Sequence, residues 1–265
     1  MLTLDEQWTD ITRWPSGSDE FVESFAKGLL VIATFSQERT LTLTGVSKRA
    51  NLSRAGARRL LHTLVELGMA RRDGDAFSLS PRVLQLGFAY LSSLSLREAA
   101  QPIIEILSRE ANEVVAISVL DGINVTYITR AEVTSVLRHS LTIGSRIPAF
   151  CTSMGRALLA GLPPEECTAT LAASDRRAWT RLTVTDISEL EREIATVREQ
   201  GWSLVTEELE IGAFGIAAPI RDAAGKTVAA INLSTNLARH TPAELVQSFL
   251  PQLIKASEQI GSHLV

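Results

Sequence analysis

Cysteine is scarce in this 265-residue chain. The two present, Cys151 and Cys167, are too few for a disulfide framework or a four-thiolate metal site, and their simplest setting is a reducing compartment. Histidine is nearly as rare, and His62, His139, His240 and His263 are too scattered to imply a metal centre. No stretch approaches the roughly 18 uninterrupted apolar residues that a membrane-spanning helix requires. The opening Met1-Leu2-Thr3-Leu4-Asp5-Glu6 lacks the basic-then-apolar order of an export signal. Together these absences predict a cytoplasmic protein with no membrane partner. A glycine-rich phosphate loop, a dinucleotide fingerprint and a Gly-x-Ser-x-Gly elbow are also missing, so no cofactor is called for. Cys151 can be imagined with His139 or His240 as nucleophile and base, yet no orienting acid sits at a telling spacing. No catalytic residue is assigned.

What is present is ordinary globular composition, 45% hydrophobic and 21% charged, in a chain long enough for two domains. The net charge of −4 argues against a polyanion partner until its distribution is read. Residues 39–82 hold Arg39, Lys48, Arg49, Arg54, Arg58, Arg59, Arg71, Arg72 and Arg82 against Glu66, Asp73 and Asp75, a surplus of +6 that leaves −10 for the rest. A basic module on an acidic body is the pattern of a protein with one part facing phosphates.

Residues 1–20 show no sustained period and read as a flexible arm. From Phe21 to about Phe35, apolar residues three and four apart predict a helix. Thr42 or Thr44 can cap a short helix to Ala50, Asn51 suits a left-handed turn, and Ser53 can cap a helix over 54–67 that Gly68 stops. This is a helix-turn-helix. Ala57, Leu60, Leu61 and Leu64 form the inward stripe, while Arg54, Arg58 and His62 share another face, with Ala55 and Arg59 beside them. Guanidinium groups there can bond guanine edges bidentately or hold phosphates. Strand-like segments carrying Arg71 and Arg72 flank Asp73-Gly74-Asp75, a hairpin-turn signal that reads as a wing. Thr44, Ser53, Arg54, Ala55, Arg58, Arg59, His62, Arg71 and Arg72 are the DNA-contact candidates. A merely solvated charged bundle is the plainer alternative, set against four ordered signals: cap, turn, leucine stripe and basic hairpin. Gly56 dissents, since glycine inside a helix costs roughly 1 kcal/mol relative to alanine.

The predicted domains are a winged helix-turn-helix over 21–80, a linker helix over 81–94 and an α+β domain over 95–265 with an antiparallel sheet. Ser95 opens a helix to about Glu113 that Pro102 should kink or break. β-Branched stretches at 114–120, 125–128 and 136–143 read as a meander, and 216–221 and 227–234 as a further strand pair. Helices are expected at Thr152–Gly161, after Pro163-Pro164, between Asp186 and Gly201, and near the C-terminus.

This layout, with the block from Gly144-Ser145-Arg146-Ile147-Pro148-Ala149-Phe150-Cys151 through Thr152-Ser153-Met154-Gly155-Arg156 and the later Glu207-Glu208-Leu209-Glu210-Ile211-Gly212, resembles the IclR family of bacterial transcriptional regulators over about residues 20–262. Within it, the Ala149–Gly155 and Glu208–Gly212 stretches most resemble the branch controlling aromatic-acid catabolism through the β-ketoadipate pathway. The resemblance implies a GAF-like effector domain, dimers through the N-terminal modules, often tetramers, and no enzymatic activity. It implies partners: double-stranded operator DNA, a small organic acid, other copies of the chain, and RNA polymerase where control is by activation. It also implies a pocket lined by Ser153, Met154, Gly155, Val205, Gly215, Asn232 and Ser234. Relatives that bind small keto-acids carry an acidic residue and a cysteine where this chain has Val205 and Gly215, which suggests a less polar and roomier wall.

The expected effector is therefore an aromatic carboxylate or a related ring-cleavage acid, its carboxylate held by N–H groups near Ser153–Gly155. Arg130 and Arg138 are secondary candidates for a bidentate clamp. Plainer readings stand beside these: Gly155 can serve close packing, and Asn232 and Ser234 can be surface strand residues. The functional alternatives are a keto-acid-sensing regulator of central metabolism and, less favoured, an enzyme with an accessory DNA-binding module.

Overall fold

A computed structural model describes residues 14–15, 20–36, 38–86, 95–132 and 141–264. The chain divides into two compact units, Met1–Ser93 and Leu94–Val265. Most of the expected arm, and 87–94 of the expected linker helix, lie outside the described residues.

In the first unit α1 (Glu23–Ala33) leads through a 3-10 turn (Thr34–Ser36) into β1 (Leu41–Thr42), α2 (Leu43–Arg49) and α3 (Arg54–Glu66). Strands β2 (Ala70–Asp73) and β3 (Ala76–Leu79) follow, with the two residues Gly74 and Asp75 turning between them. The caps are local chemistry. Thr42, rather than Thr44, accepts the Gly45 N–H at 3.2 Å, and Ser53 accepts the Gly56 N–H at 3.1 Å. Asn51 adopts a φ of +51° between α2 and α3, and Gly68 one of +70° after α3. Val31, Val46, Ala50, Ala57 and Leu61 lie at the centre of the core. The sheet order β1-β3-β2 contains a strand that hydrophobic pattern did not announce, because β1 is two residues long and is held by pairing with β3. Past the wing, Pro81–Val83 is a 3-10 turn and 84–86 are helical.

The second unit begins with α4 (Ser95–Ala111), which continues through Pro102 instead of breaking there. Proline removes one intrahelical hydrogen bond. The stripe Leu96, Ala100, Ile104, Leu107 and Ala111, buried against the sheet, holds the helix together across that gap. The helix ends at Asn112, where φ is +52°.

Among the described residues six antiparallel strands follow in the order β6-β5-β4-β9-β8-β7: β4 (Val114–Asp121), β5 (Asn124–Ala131), β6 (Arg146–Pro148), β7 (Ser203–Thr206), β8 (Ala213–Arg221) and β9 (Thr227–Asn236). The strand expected at 136–143 lies mostly outside the described residues; 141–143 are not strand, and the edge beside β5 is instead β6. The sheet separates two cores by simple alternation. Val115, Ile117, Ile216, Ile231 and Leu233 face α4 and the C-terminal helix α8 (Leu250–Gly261). Ala116, Ala217 and Ala230 face the other way, where small side chains let α5 (Ser153–Ala160) pack closely. Between α5 and β7 lie α6 (Pro164–Ala173) and α7 (Ile187–Gln200), and α7 adds Leu190 and Ile194 to that second core. A helical turn (Pro242–Glu244) and a π-helical turn (Leu245–Phe249) precede α8.

Candidate DNA-binding surface and effector cavity

α3 turns Ala57, Leu61 and Leu64 inward, and that fixes what faces out. Arg54, Ala55, Arg58, Arg59 and His62 are all exposed, as are Thr44 on α2, Ser53 at the cap, and Arg71 and Arg72 on the wing. Among the described residues no acidic side chain pairs with Arg54, Arg58, Arg59 or Arg71. His62 has Glu66 as a weak neighbour at 3.9 Å. Arg72 is oriented along the hairpin by donating Nε to the Gly74 carbonyl at 2.8 Å and covering the Phe77 ring. Arg49, in contrast, is tied to Glu38. The glycine that dissented in the sequence has a local reason: a Cβ on Gly56 would stand 3.1 Å from the Ser53 Oγ that caps the helix.

In the second unit a cavity of about 130 Å³ opens between the sheet and the start of α5. Ser153, Met154, Val205, Gly215, Ser234 and Arg130 line it, joined by Tyr127, Cys151, Phe214 and the Glu207–Glu210 turn. Thr152 caps α5 by accepting the Gly155 N–H at 3.3 Å, so the first free amides of the helix, on Ser153 and Met154, border the cavity. Gly215 does not leave an open wall. A Cβ there would meet Ser153 Oγ at 3.0 Å and the Leu233 carbonyl oxygen at 3.3 Å, so the glycine makes room for the Ser153 hydroxyl and the neighbouring strand. Ser234 Oγ accepts a hydrogen bond from Asn232 Nδ2 at 2.6 Å, which leaves its own proton free.

Two expected pocket residues stand elsewhere. Gly155 does not line the cavity; its Cα faces the Ala149 backbone so closely that any Cβ would overlap the Ala149 carbonyl oxygen. Asn232 is buried under the same sheet face and supports Ser234 without reaching the cavity. Arg138 and His139 lie outside the described residues. Arg130 is not available as a bidentate clamp, because one Nη donates to the Leu141 carbonyl and the other to Glu132 at 2.5 Å.

The acidic turn is structural. Glu207, at a φ of +58°, accepts the Gly212 N–H at 2.7 Å. Glu208 is buried against Arg156, whose Nη2 donates to it at 2.7 Å, whose other Nη pairs with Glu193, and whose Nε donates to the Phe150 carbonyl at 2.8 Å. Burial raises the Glu208 pKa, more than the Arg156 charge lowers it. Burial, reinforced by the Glu208 charge, pushes the Cys151 thiol up to about 12, which makes it a poor nucleophile. Among the described residues no group of three or more His, Cys, Asp and Glu side chains could hold a metal ion. No helix among them is long and apolar enough to cross a membrane.

Comparison with known proteins agrees with both halves of this architecture. Residues 88–262 match the description "Bacterial transcriptional regulator IclR C-terminal", and residues 24–74 match "IclR helix-turn-helix domain". The chain belongs to the IclR family of bacterial transcriptional regulators. It is 43% identical over 251 residues to the Pca regulon regulatory protein of Pseudomonas putida, covering 94% of this chain and 86% of that one. A solved structure of a transcriptional regulator from Rhodococcus sp. RHA1 superposes with a TM-score of 0.84 at 44% identity, covering 92% of this chain and 98% of the other. An IclR homologue from Microbacterium hydrocarbonoxydans, solved in complex with 4-hydroxybenzoate, superposes with a TM-score of 0.80 at 26% identity, covering 91% and 98%. These relatives are regulators and not enzymes.

For an IclR-family chain, then, the exposed basic face of α3 and the wing belong to a DNA-binding regulator, and the second unit is its small-molecule-binding domain. Sequence reasoning missed Tyr127 and Arg156. Tyr127 read as one more strand residue. Arg156 did carry a signal: a lone charge in the apolar, small-residue helix Met154–Ala160 must either face out or be paired.

Proposed function

We propose that this regulator binds a pseudo-palindromic operator and that an aromatic carboxylate in the α5 cavity modulates that binding. The observation that carries the reading is the cavity itself, about 130 Å³, close to the ~150 Å³ of an apolar cavity known to accept benzene. Val114, Ile147, Met154, Val205, Leu209 and Phe214 supply apolar walls for a ring. Ser153 and Met154 amides at the head of α5, with the Ser153 and Ser234 hydroxyls, supply donors for the carboxylate. The 4-hydroxybenzoate-bound homologue and the name of the Pseudomonas putida relative support the same chemistry.

α3 enters the major groove, with Arg54, Arg58 and Arg59 toward bases and phosphates and Thr44, Ser53, Ala55 and His62 beside them, while Arg71 and Arg72 hold adjacent phosphates. A palindromic site needs two copies. The stripe Val22, Phe25 and Leu29, exposed at 62%, 67% and 39%, is the surface we assign to that self-association. The protein acts in the cytoplasm, where bacterial DNA lies, and touches RNA polymerase where its operator position makes it an activator. Effector binding shifts the population of DNA-competent dimers through the stretch 81–113 that joins the units.

Calorimetric titration with protocatechuate, 4-hydroxybenzoate, β-ketoadipate and glyoxylate tests the effector class, with gel shifts on the chain's own upstream DNA as the functional readout. A preference for glyoxylate rejects the aromatic reading.

A further inference from the structure

Tyr127 and Arg130 are three residues apart on β5, a spacing that on a regular strand sends side chains to opposite faces. β5 is not regular there. Ile117 pairs with Thr129 but Ser118 pairs with Tyr127, so Ile128 is an extra residue with no partner on β4. This bulge reverses the alternation. Thr129 bonds Gln101 on α4, and Ala131 joins the core beneath α4, while Tyr127 and Arg130 both line the cavity on the other face. Bulges are frequent where a side chain must be re-aimed next to a site.

Both groups have a proton to give. Tyr127 is only 5% exposed, yet its hydroxyl has no hydrogen bond among the described residues. Burial holds its pKa well above the ordinary 10.0, against a smaller opposing pull from Arg130, so the phenol stays neutral. Arg130 is immobilised through its two Nη atoms, and its buried Nε is left without a partner among the described residues. A guanidinium N–H can only donate, so what this residue offers the cavity it borders is a donor for an acceptor oxygen, which reaches the buried Nε by a small shift of the side chain.

The sheet order says where that oxygen lies. From β5 the neighbours are β4 and then β9; Arg130 pairs with Ala116 and Tyr127 with Ser118, whereas Ser234 pairs with Val114, so the two residues stand two strands, about 10 Å, across the sheet from Ser234 and roughly 7 and 14 Å along it. Between them β4 presents Val114 and Ala116 to this face, an apolar floor. The long Tyr127 and Arg130 side chains cover part of that separation, and a ring carrying polar groups on opposite carbons covers the rest.

We propose that Tyr127 and Arg130 recognise a second oxygen on the effector, at the end opposite the carboxylate held near Ser153 and Ser234. This rests on the cavity reading given above. The group recognised is an acceptor oxygen, either a phenolic hydroxyl or a second carboxylate.

The test is calorimetric titration of the full-length protein with benzoate, 4-hydroxybenzoate, terephthalate and adipate, repeated on Tyr127→Phe and Arg130→Gln. The wild type is expected to prefer at least one of the two oxygen-substituted rings over benzoate by about tenfold or more. That preference is expected to fall to within about twofold in either variant. If Arg130→Gln proves thermally unstable, Tyr127→Phe, which removes a single oxygen, decides. A preference for 4-hydroxybenzoate identifies the hydroxyl, and one for terephthalate the second carboxylate. A wild type indifferent to the extra oxygen, or variants that weaken all rings equally while keeping the preference, overturns the proposal. If no ring binds but adipate does, and both variants weaken adipate, the aromatic reading fails and the role of the pair stands. If adipate alone binds and the variants leave it unchanged, or if none of the four binds, both fall.

Discussion

Arg156 reaches from α5 to Glu208 in the turn after β7 and donates to it at 2.7 Å, both side chains being almost wholly out of solvent. The same Glu208 carboxylate accepts the Val184 N–H at 3.0 Å, and its backbone carbonyl accepts the Thr183 hydroxyl at 2.6 Å. This network ties the cavity's acidic turn to α5 and to the loop before α7.

The two partners should differ in their sensitivity to mutation. Arg156→Met strands Glu208 as an unpaired buried charge and should destabilise the effector unit by about 3–5 kcal/mol. Glu208→Gln leaves Arg156 paired with Glu193 and should cost much less. Denaturant unfolding of the two variants gives the comparison; equal losses would mean that the pairing, and not the stranded charge, sets the cost.

The pH dependence follows from the same site. Because the Glu208 pKa is raised above its ordinary 4.5, the folded state keeps that proton to a higher pH than the unfolded chain does. Stability therefore falls as pH rises from about 4.5 through the raised value. Relative to Glu208→Gln, the wild type should lose stability over that window. A wild type that gains stability there would show that the Arg156 attraction outweighs desolvation.

How much of this was readable beforehand depends on the range of the interaction. The DNA-binding unit is built from signals within a few residues of each other. Ser53 caps onto Gly56, Asn51 and Gly68 take left-handed turns, and Gly74 and Asp75 turn the wing, so its outline and exposed arginines could be anticipated. The cavity is assembled from residues brought together by strand pairing. Ile128 is an ordinary apolar residue in the sequence, and only the register of β4 against β5 makes it a bulge. Gly155 stands among pocket-lining neighbours in the sequence, and only the fold sets its Cα against Ala149. Pro102 is a breaker by local rules alone, whereas the apolar stripe around it is held by the sheet.

Arginines on α3 and on the wing should separate by specificity. If Arg58 reads a base, Arg58→Ala should weaken binding to the operator by roughly 1–3 kcal/mol more than binding to random DNA. Arg71→Ala should weaken both alike and reduce the steepness of the salt dependence by about one ion. Fluorescence anisotropy at several salt concentrations measures both, and an equal loss on both sequences for Arg58→Ala would assign it to phosphate.

Gly155→Ala should act on the effector unit alone. The new methyl must displace the Ala149 carbonyl, which belongs to rigid backbone at the entrance to α5. Overpacking of this kind typically costs about 1–3 kcal/mol or more and moves local backbone. Effector affinity should drop with it, since the Ser153 and Met154 amides shift, whereas residual DNA binding should persist. Unchanged effector affinity in a folded variant would show that the α5 amides do not hold the carboxylate.

The final expectation concerns Gly56, where two opposing effects meet on one oxygen. Replacing it with alanine relieves roughly 1 kcal/mol of helix-propensity cost. The added methyl, however, stands 3.1 Å from Ser53 Oγ, which is also the acceptor for the residue 56 N–H at 3.1 Å. Gly56→Ala alone should therefore stabilise by less than the propensity difference, because the cap must shift. Ser53→Ala removes the cap, at a cost of about 1 kcal/mol, and with it the crowding. In that background Gly56→Ala should recover its full benefit, so the double-mutant cycle should close with a favourable coupling of a few tenths of a kcal/mol or more. Thermal unfolding of the four proteins measures it. Strict additivity would mean that the serine hydroxyl yields freely, leaving close contact with the cap as no explanation for a glycine in α3.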